Sequence, residues 1–143
     1  MIRVLRQRAG RRQLVAAETE ILAELRRLRV RLPQVTGALA AGYDGRVLAQ
    51  DAGAGADAVA VLTASAVGAA RRFAEHSGLG GLHELLLRGE EGYAATYAAG
   101  TGALLTLLAQ PRVNVGRLHL EGRRASARIG ELVDGALDRP ENP

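Results

Sequence analysis

A chain of 143 residues is long enough for one domain with a single buried core and a short extension. Its mean hydropathy is 0.00, no apolar run approaches the roughly 20 residues that cross a bilayer, and the absence of cysteine excludes disulfides, thiolate nucleophiles and thiolate metal ligation. All 19 basic residues are arginine, with 9 of them against Glu18, Glu20 and Glu24 in residues 1–31 (net +6) and 10 against 12 acids in residues 32–143 (net −2), so any basic surface belongs to the first segment.

Residues 1–13 carry Arg3, Arg6, Arg8, Arg11 and Arg12 with little apolar content. Two readings fit: a flexible leader, or an electrostatic arm for an acidic partner, anionic membrane or nucleic acid. No aromatic side chain lies among these arginines, so no stacking platform for single strands is present. No signal-peptide block is recognised at the N-terminus, and a cytoplasmic location is expected.

From Leu14 the apolar residues Leu14, Ile21, Leu25, Leu28 and Leu32 keep helical spacing. Glu18 and Glu20 near the start and arginines near the end complement the helix dipole. Pro33 biases Leu32 out of the helical region and closes the element. Two short apolar runs, residues 35–42 and 47–49, then flank Tyr43-Asp44-Gly45-Arg46. Asp-Gly in that position predicts a hairpin with a tight primed turn, whose residues must accept positive φ.

A small-residue loop precedes a helix expected over residues 57–75. Its sheet-facing side is expected to carry Val59, Leu62, Thr63, Ala66, Ala69, Ala70 and Phe73. The opposite side carries Val61, Ala64, Ser65 and Gly68, then Arg71, Arg72 and Glu75. A helix that only covers a sheet should show charge along its whole outer side, and this one shows none between Asp57 and Arg71. The uncharged strip is either a place for a second helix to approach closely or the plain surface of an Ala-rich helix.

Glycines at 78, 80 and 81 end that helix. Residues 82–88 alternate loosely as an edge strand would, with Leu85 and Leu87 on one side and Glu84 and Arg88 on the other. A turn at residues 89–92 leads to a strand over residues 93–99, and a second turn leads to Ala103–Ala109, apolar on both faces like a central strand. A last helix follows Pro111, with Leu118, Gly122, Ala125, Ile129, Leu132, Val133 and Ala136 as its buried stripe. The domain is expected to span residues 14–138, and residues 139–143 form a loose tail. Helix, two strands, helix, three strands and helix, joined by short turns, predict a mainly antiparallel sheet covered by helices, an α+β sandwich.

Chemistry-bearing motifs are lacking. His76, His83 and His119 have no close metal-ligand spacing, and residues 78–81 lack the Lys-Ser/Thr of a phosphate loop. The Gly100-Thr101-Gly102 turn lies between strands and presents no helix N-terminus. Ser65, Ser77 and Ser126 have no nucleophile-elbow context, and Glu90 and Glu91 share a solvated turn. The expectation is a protein that is not an enzyme and has no catalytic residue, metal or cofactor.

The order of elements, with PxVxGALxxxxDGRVLA at the first hairpin, GTGALLTLLAQPRVNVGRL after the third turn and RIGELVDGAL in the last helix, resembles the Roadblock/LC7 (dynein light chain-related) family in its prokaryotic, GTPase-associated form. The likeness covers residues 25–137, and the Arg-rich leader stands outside it. It implies a profilin-like/Roadblock sandwich with a five-stranded, mainly antiparallel sheet and helices on both faces. It also implies a homo- or heterodimer in which second helices pair and third strands join into one sheet. The residues that this places at the dimer interface are Val61, Ala64, Ser65, Gly68, Arg72, Glu84 and Leu86. A small Ras-like GTPase is the implied partner, with Arg71, Arg72 and Glu75 as its contact residues, and components of a sensor-kinase signalling module are implied beside it. The expected role is therefore an adaptor or signalling scaffold that regulates a GTPase; the alternative is a binder of nucleic acid or anionic membrane through the leader. Arg71 and Arg72 have an ordinary explanation too, complementing the helix dipole at a C-terminus.

Overall fold

The structure, a computed structural model, describes the backbone of residues 2–138 and the side chains of residues 15–136. Eight elements follow one another: α1 (Ile2–Arg31), β1 (Val35–Gly42), β2 (Val47–Asp51), α2 (Ala56–His76), β3 (Glu84–Gly89), β4 (Gly92–Ala99), β5 (Ala103–Ala109) and α3 (Val115–Asp138). The strands make one sheet in the order β2-β1-β5-β4-β3, antiparallel at every pairing. α1 and α3 lie together on one face, and α2 packs on the other, over β1 and β2. This is the α+β sandwich that the element order predicts.

α1 begins at Ile2 rather than near Leu14. The backbone of the Arg-rich segment thus continues the helix, as a run of Arg, Gln, Leu and Ala favours, in spite of the roughly 1 kcal/mol that Gly10 costs relative to Ala. The side chains of residues 1–14 and the tail expected over residues 139–143 lie outside the described residues.

The period-2 alternation of the strands sorts side chains into two cores. Ala38, Ala40, Ala95, Tyr97, Leu105 and Leu107 point toward α1 and α3, where Ile21, Leu25, Leu28, Leu32, Leu118, Ala125 and Ile129 meet them. Each fully buried Leu or Ile contributes about 1.5–3 kcal/mol. Leu39 and Ala41 point the other way, toward Ala56 and Ala60 of α2. β5 pairs with both β1 and β4 and is buried on each face except at the half-buried Leu108, which explains its almost wholly apolar sequence. Its one polar side chain, Thr106, faces its register partner Thr96 with the two hydroxyl oxygens 3.1 Å apart, so each buried hydroxyl has a partner.

α3 comes close to β4 because its stripe includes glycine. A Cβ at Gly122 would enter the Tyr97 ring, and one at Gly130 would meet the backbone of Gly100. α1 and α3 are also joined by charge. The Arg31 guanidinium Nε lies 2.9 Å from Glu121 and its Nη2 3.6 Å from Glu24, and both glutamates are buried.

The first hairpin corrects one expectation. Within it Gly45 alone takes positive φ, at 83°, and no non-glycine residue does, so the turn is not the two-residue primed type. Gly45 N donates to Gly42 O and Gly42 N to Arg46 O, closing a three-residue loop with glycine in its left-handed position. Asp44 serves through its side chain, whose Oδ1 accepts from Arg46 N at 3.0 Å.

Candidate interaction surface

α2 shows most plainly where sequence and structure diverge. Its buried residues are Ala56, Ala60, Val67 and Ala74. Leu62 and Phe73, expected against the sheet, are each 69% exposed, and Val61 is 54% exposed; Ala69 is exposed as well. At 100° per residue, Val61, Leu62, Ser65, Ala69 and Phe73 form one stripe opposite the buried alanines. The cause is close approach: a Cβ on Gly45 would stand 3.0 Å from the Cα of Val61. A helix seated that near the sheet accommodates alanine along its seam, and the large side chains turn outward.

The strip singled out from the sequence is therefore one border of a broader apolar face. Val61, Ser65 and Arg72 are exposed, whereas Ala64 and Gly68 are half-buried along its flank. Arg71 is stacked over the Tyr43 ring, 5.0 Å from its centroid, a cation–π contact that ties α2 to the first hairpin. Arg72 and Glu75 beside it are exposed.

β3 is an edge strand, paired with β4 alone. Leu86 is 37% and Leu87 53% exposed. Glu84 accepts from the Arg123 guanidinium of α3, with Nε 3.0 Å from Oε2. That hydrogen bond, with the Arg123 charge adding to it, holds the Glu84 carboxyl below its ordinary range against the opposing effect of partial burial. Behind it the Tyr97 hydroxyl lies 2.9 Å from His119 Nδ1, and burial pushes the phenol well above its usual range. The sheet face beside β3 stays open along Thr36, Leu87, Ala94 and Leu108.

The three histidines are far apart in role: His76 ends α2, His83 precedes β3, and His119 bonds Tyr97. Among the described residues no group of three or more His, Asp and Glu side chains converges as a metal site, and no helix is long and apolar enough to cross a membrane. Sequence reasoning placed Leu62 and Phe73 against the sheet and so missed them as surface residues. The available signal was the spacing of Ala56, Ala60, Val67 and Ala74, a seam of helical period in which three of four residues are alanine.

Comparison with known proteins agrees with this architecture. The Roadblock/LC7 domain pattern matches residues 21–109. Two uncharacterized proteins of Methanocaldococcus jannaschii are 34% and 33% identical over 97 residues, covering 66% of this chain and 81% and 84% of theirs. Among solved structures, MglB in a tetrameric arrangement superposes with a TM-score of 0.79 at 24% identity, covering 85% of this chain and 93% of that one. The gliding protein MglB of Thermus thermophilus gives 0.73 at 24% identity, with 85% and 92% covered. A Roadblock/LC7 domain of Streptomyces avermitilis gives 0.72 at 21% identity, with 76% and 92% covered. At these identities the structural likeness concerns the fold. With its pattern match and its relatives, the chain belongs to the Roadblock/LC7 domain family.

Proposed function

We propose that this protein is a non-enzymatic, dimeric adaptor that binds a small Ras-like GTPase and modulates its nucleotide state or its assembly into a signalling complex. The observation that carries the reading is the outer face of α2, where Leu62 and Phe73 stand 69% exposed in line with Val61. A contiguous apolar stripe of that kind on a domain surface marks a place for another protein. In the dimer, Val61, Ala64, Ser65, Gly68 and Arg72 of α2 meet their counterparts, and Glu84 and Leu86 lie at the joined strand edges. Arg72 and Glu75, exposed at the end of α2, with Arg71 held over Tyr43, form the polar border offered to the GTPase. The tetrameric arrangement of MglB is in keeping with self-association on this fold.

Light scattering on a gel-filtered sample tests the first half: the expected mass is that of a dimer, and a monomer at high micromolar concentration overturns it. The second half is tested by capture of purified small Ras-like GTPases loaded with GTP or GDP. Binding that depends on the nucleotide is expected, and equal failure with both forms would discard the GTPase.

A second reading rests on α1, whose segment from Ile2 adds helix that carries five arginines and no acid before Glu18. Such an arm binds polyanions with affinity that falls steeply with salt. Heparin retention that is unchanged by removal of residues 2–13 would exclude it.

A further inference from the structure

Positive charge is concentrated in one layer of the sandwich. α1 carries nine arginines against three acids and α3 four against four, whereas residues 32–114 carry five against seven. We propose that the outer side of the α1–α3 layer docks on duplex DNA. The Arg-rich start of α1 enters the major groove, and the arginines along the α1–α3 seam bond the phosphates that flank it. The inference rests on the polyanion reading of α1 above, names its ligand and adds α3 to the surface. It is independent of the dimer and the GTPase, which concern α2 and β3.

Three observations lead there. First, along the seam the acids lie underneath and the arginines on top. Arg27 and Arg31 reach Glu24 at 2.7 and 3.6 Å, and Arg31 and Arg124 reach Glu121 at 2.9 and 3.8 Å. The two glutamate side chains are 10% and 8% exposed, whereas those of Arg27 and Arg124 are more than half exposed. Arg128 continues the row, 3.8 Å from Glu20 and 3.5 Å from Glu131, and the Arg117 guanidinium donates to Arg31 O. A guanidinium has five N–H donors, so one held from below keeps others free for a phosphate, which its planar fork matches. Its side chain is already ordered, which lessens the entropy lost on binding.

Second, the start of α1 has the geometry that a groove requires. Its backbone is helical from Ile2. At 100° per residue, positions 3 and 6 fall on one side of that helix and positions 8, 11 and 12 on the opposite one. Phosphates flank a groove on both sides, whereas a bilayer meets a helix from one. A helix about 10–12 Å across enters the roughly 12 Å major groove of B-form DNA, and the major groove of an RNA duplex is too narrow. Third, α1 and α3 contain no Phe, Tyr or Trp. They offer no stacking platform for single strands and no aromatic anchor for a bilayer interface. The exposed apolar side chains of α1, Val15 and Val30, stand about four turns apart and make no continuous face.

The test is fluorescence anisotropy of a short labelled DNA duplex titrated with the full chain at several salt concentrations. Binding is expected whose log K falls linearly with log salt, by about 0.9 for each phosphate neutralised. The double variant Arg124→Gln, Arg128→Gln changes exposed side chains of α3 and is expected to lower that slope by about two. The five changes Arg3→Gln, Arg6→Gln, Arg8→Gln, Arg11→Gln and Arg12→Gln together are expected to lower it by about four to five. Glu131→Gln removes an acid from beside Arg128 and is expected to tighten binding, with circular dichroism showing that each variant is folded. If the five changes act and the α3 double variant keeps the wild-type slope, the seam is refuted and the arm stands. If neither set acts, both fall. Equal affinity for an RNA duplex of the same length refutes the major groove. Capture by phosphatidylserine vesicles without any binding of the duplex refutes DNA in favour of a membrane.

Discussion

Tyr97 is the side chain on which most of the local geometry converges. Its ring lies where a Cβ at position 122 would be, its hydroxyl meets His119, and its strand neighbour across the ladder is Glu84. Gly122→Ala is therefore expected to lower stability by about 1–3 kcal/mol, the usual cost of overpacking a filled core, measured by urea unfolding. Glu84 gives a pH dependence with a definite sign. Its folded carboxyl titrates below the ordinary value because Arg123 donates to it. A depressed carboxylate contributes stability that is complete above its unfolded value and lost as pH falls through the folded one. Wild type is thus expected to exceed Arg123→Gln in stability at neutral pH and to converge with it in acid below the carboxylate range. Parallel chemical unfolding at several pH values would detect a gap that persists in acid, contrary to this expectation. Asp44 shows how far a residue type can be read alone. Asp-Gly announced a turn correctly, but which of the two residues took the left-handed conformation depended on loop length, and here only Gly45 does.

At the scale of elements, α2 behaves as a helix with two different neighbours. One side is an alanine seam against β1 and β2, and the other holds Leu62 and Phe73 in water. If the proposed dimer forms through this face, Phe73→Glu or Leu62→Glu is expected to yield a monomer while the isolated fold keeps its melting temperature within a few degrees. Gel filtration and circular dichroism on the same samples would check both halves, and a loss of fold would place these side chains in a core. Helix existence and span were legible in the sequence, and so was an unusual outer side. Which side was outer was not legible for Leu62 and Phe73. Hydrophobicity taken as a proxy for burial sends large side chains inward. The close seating of α2, whose Val61 lies against the turn at Gly45, decides whether they fit there.

For the whole molecule, the α1–α3 layer holds the sandwich together through both packing and charge. Leu25 is fully buried at 0% exposure, and Leu25→Ala is expected to cost about 2–5 kcal/mol. Arg31→Met removes the cation shared by Glu121 and Glu24; Glu24 keeps Arg27 at 2.7 Å, whereas the buried Glu121 is left with Arg124 at 3.8 Å. The expected loss is roughly 1–3 kcal/mol, the desolvation penalty of such groups, and thermal unfolding near neutral pH would measure it.

By itself the sequence determined the order of elements, the antiparallel hairpins, the central place of β5 and the buried stripes of α1 and α3. Those features follow from local periodicity, turn chemistry and chain connectivity, which are properties of neighbours along the chain. Tertiary structure alone decided that alanine lines most of the α2 seam and that Glu84 is drawn to Arg123. It also decided that Arg71 stacks on Tyr43. Each of these depends on distances between elements remote in sequence, and such distances are fixed only when the layers close on one another.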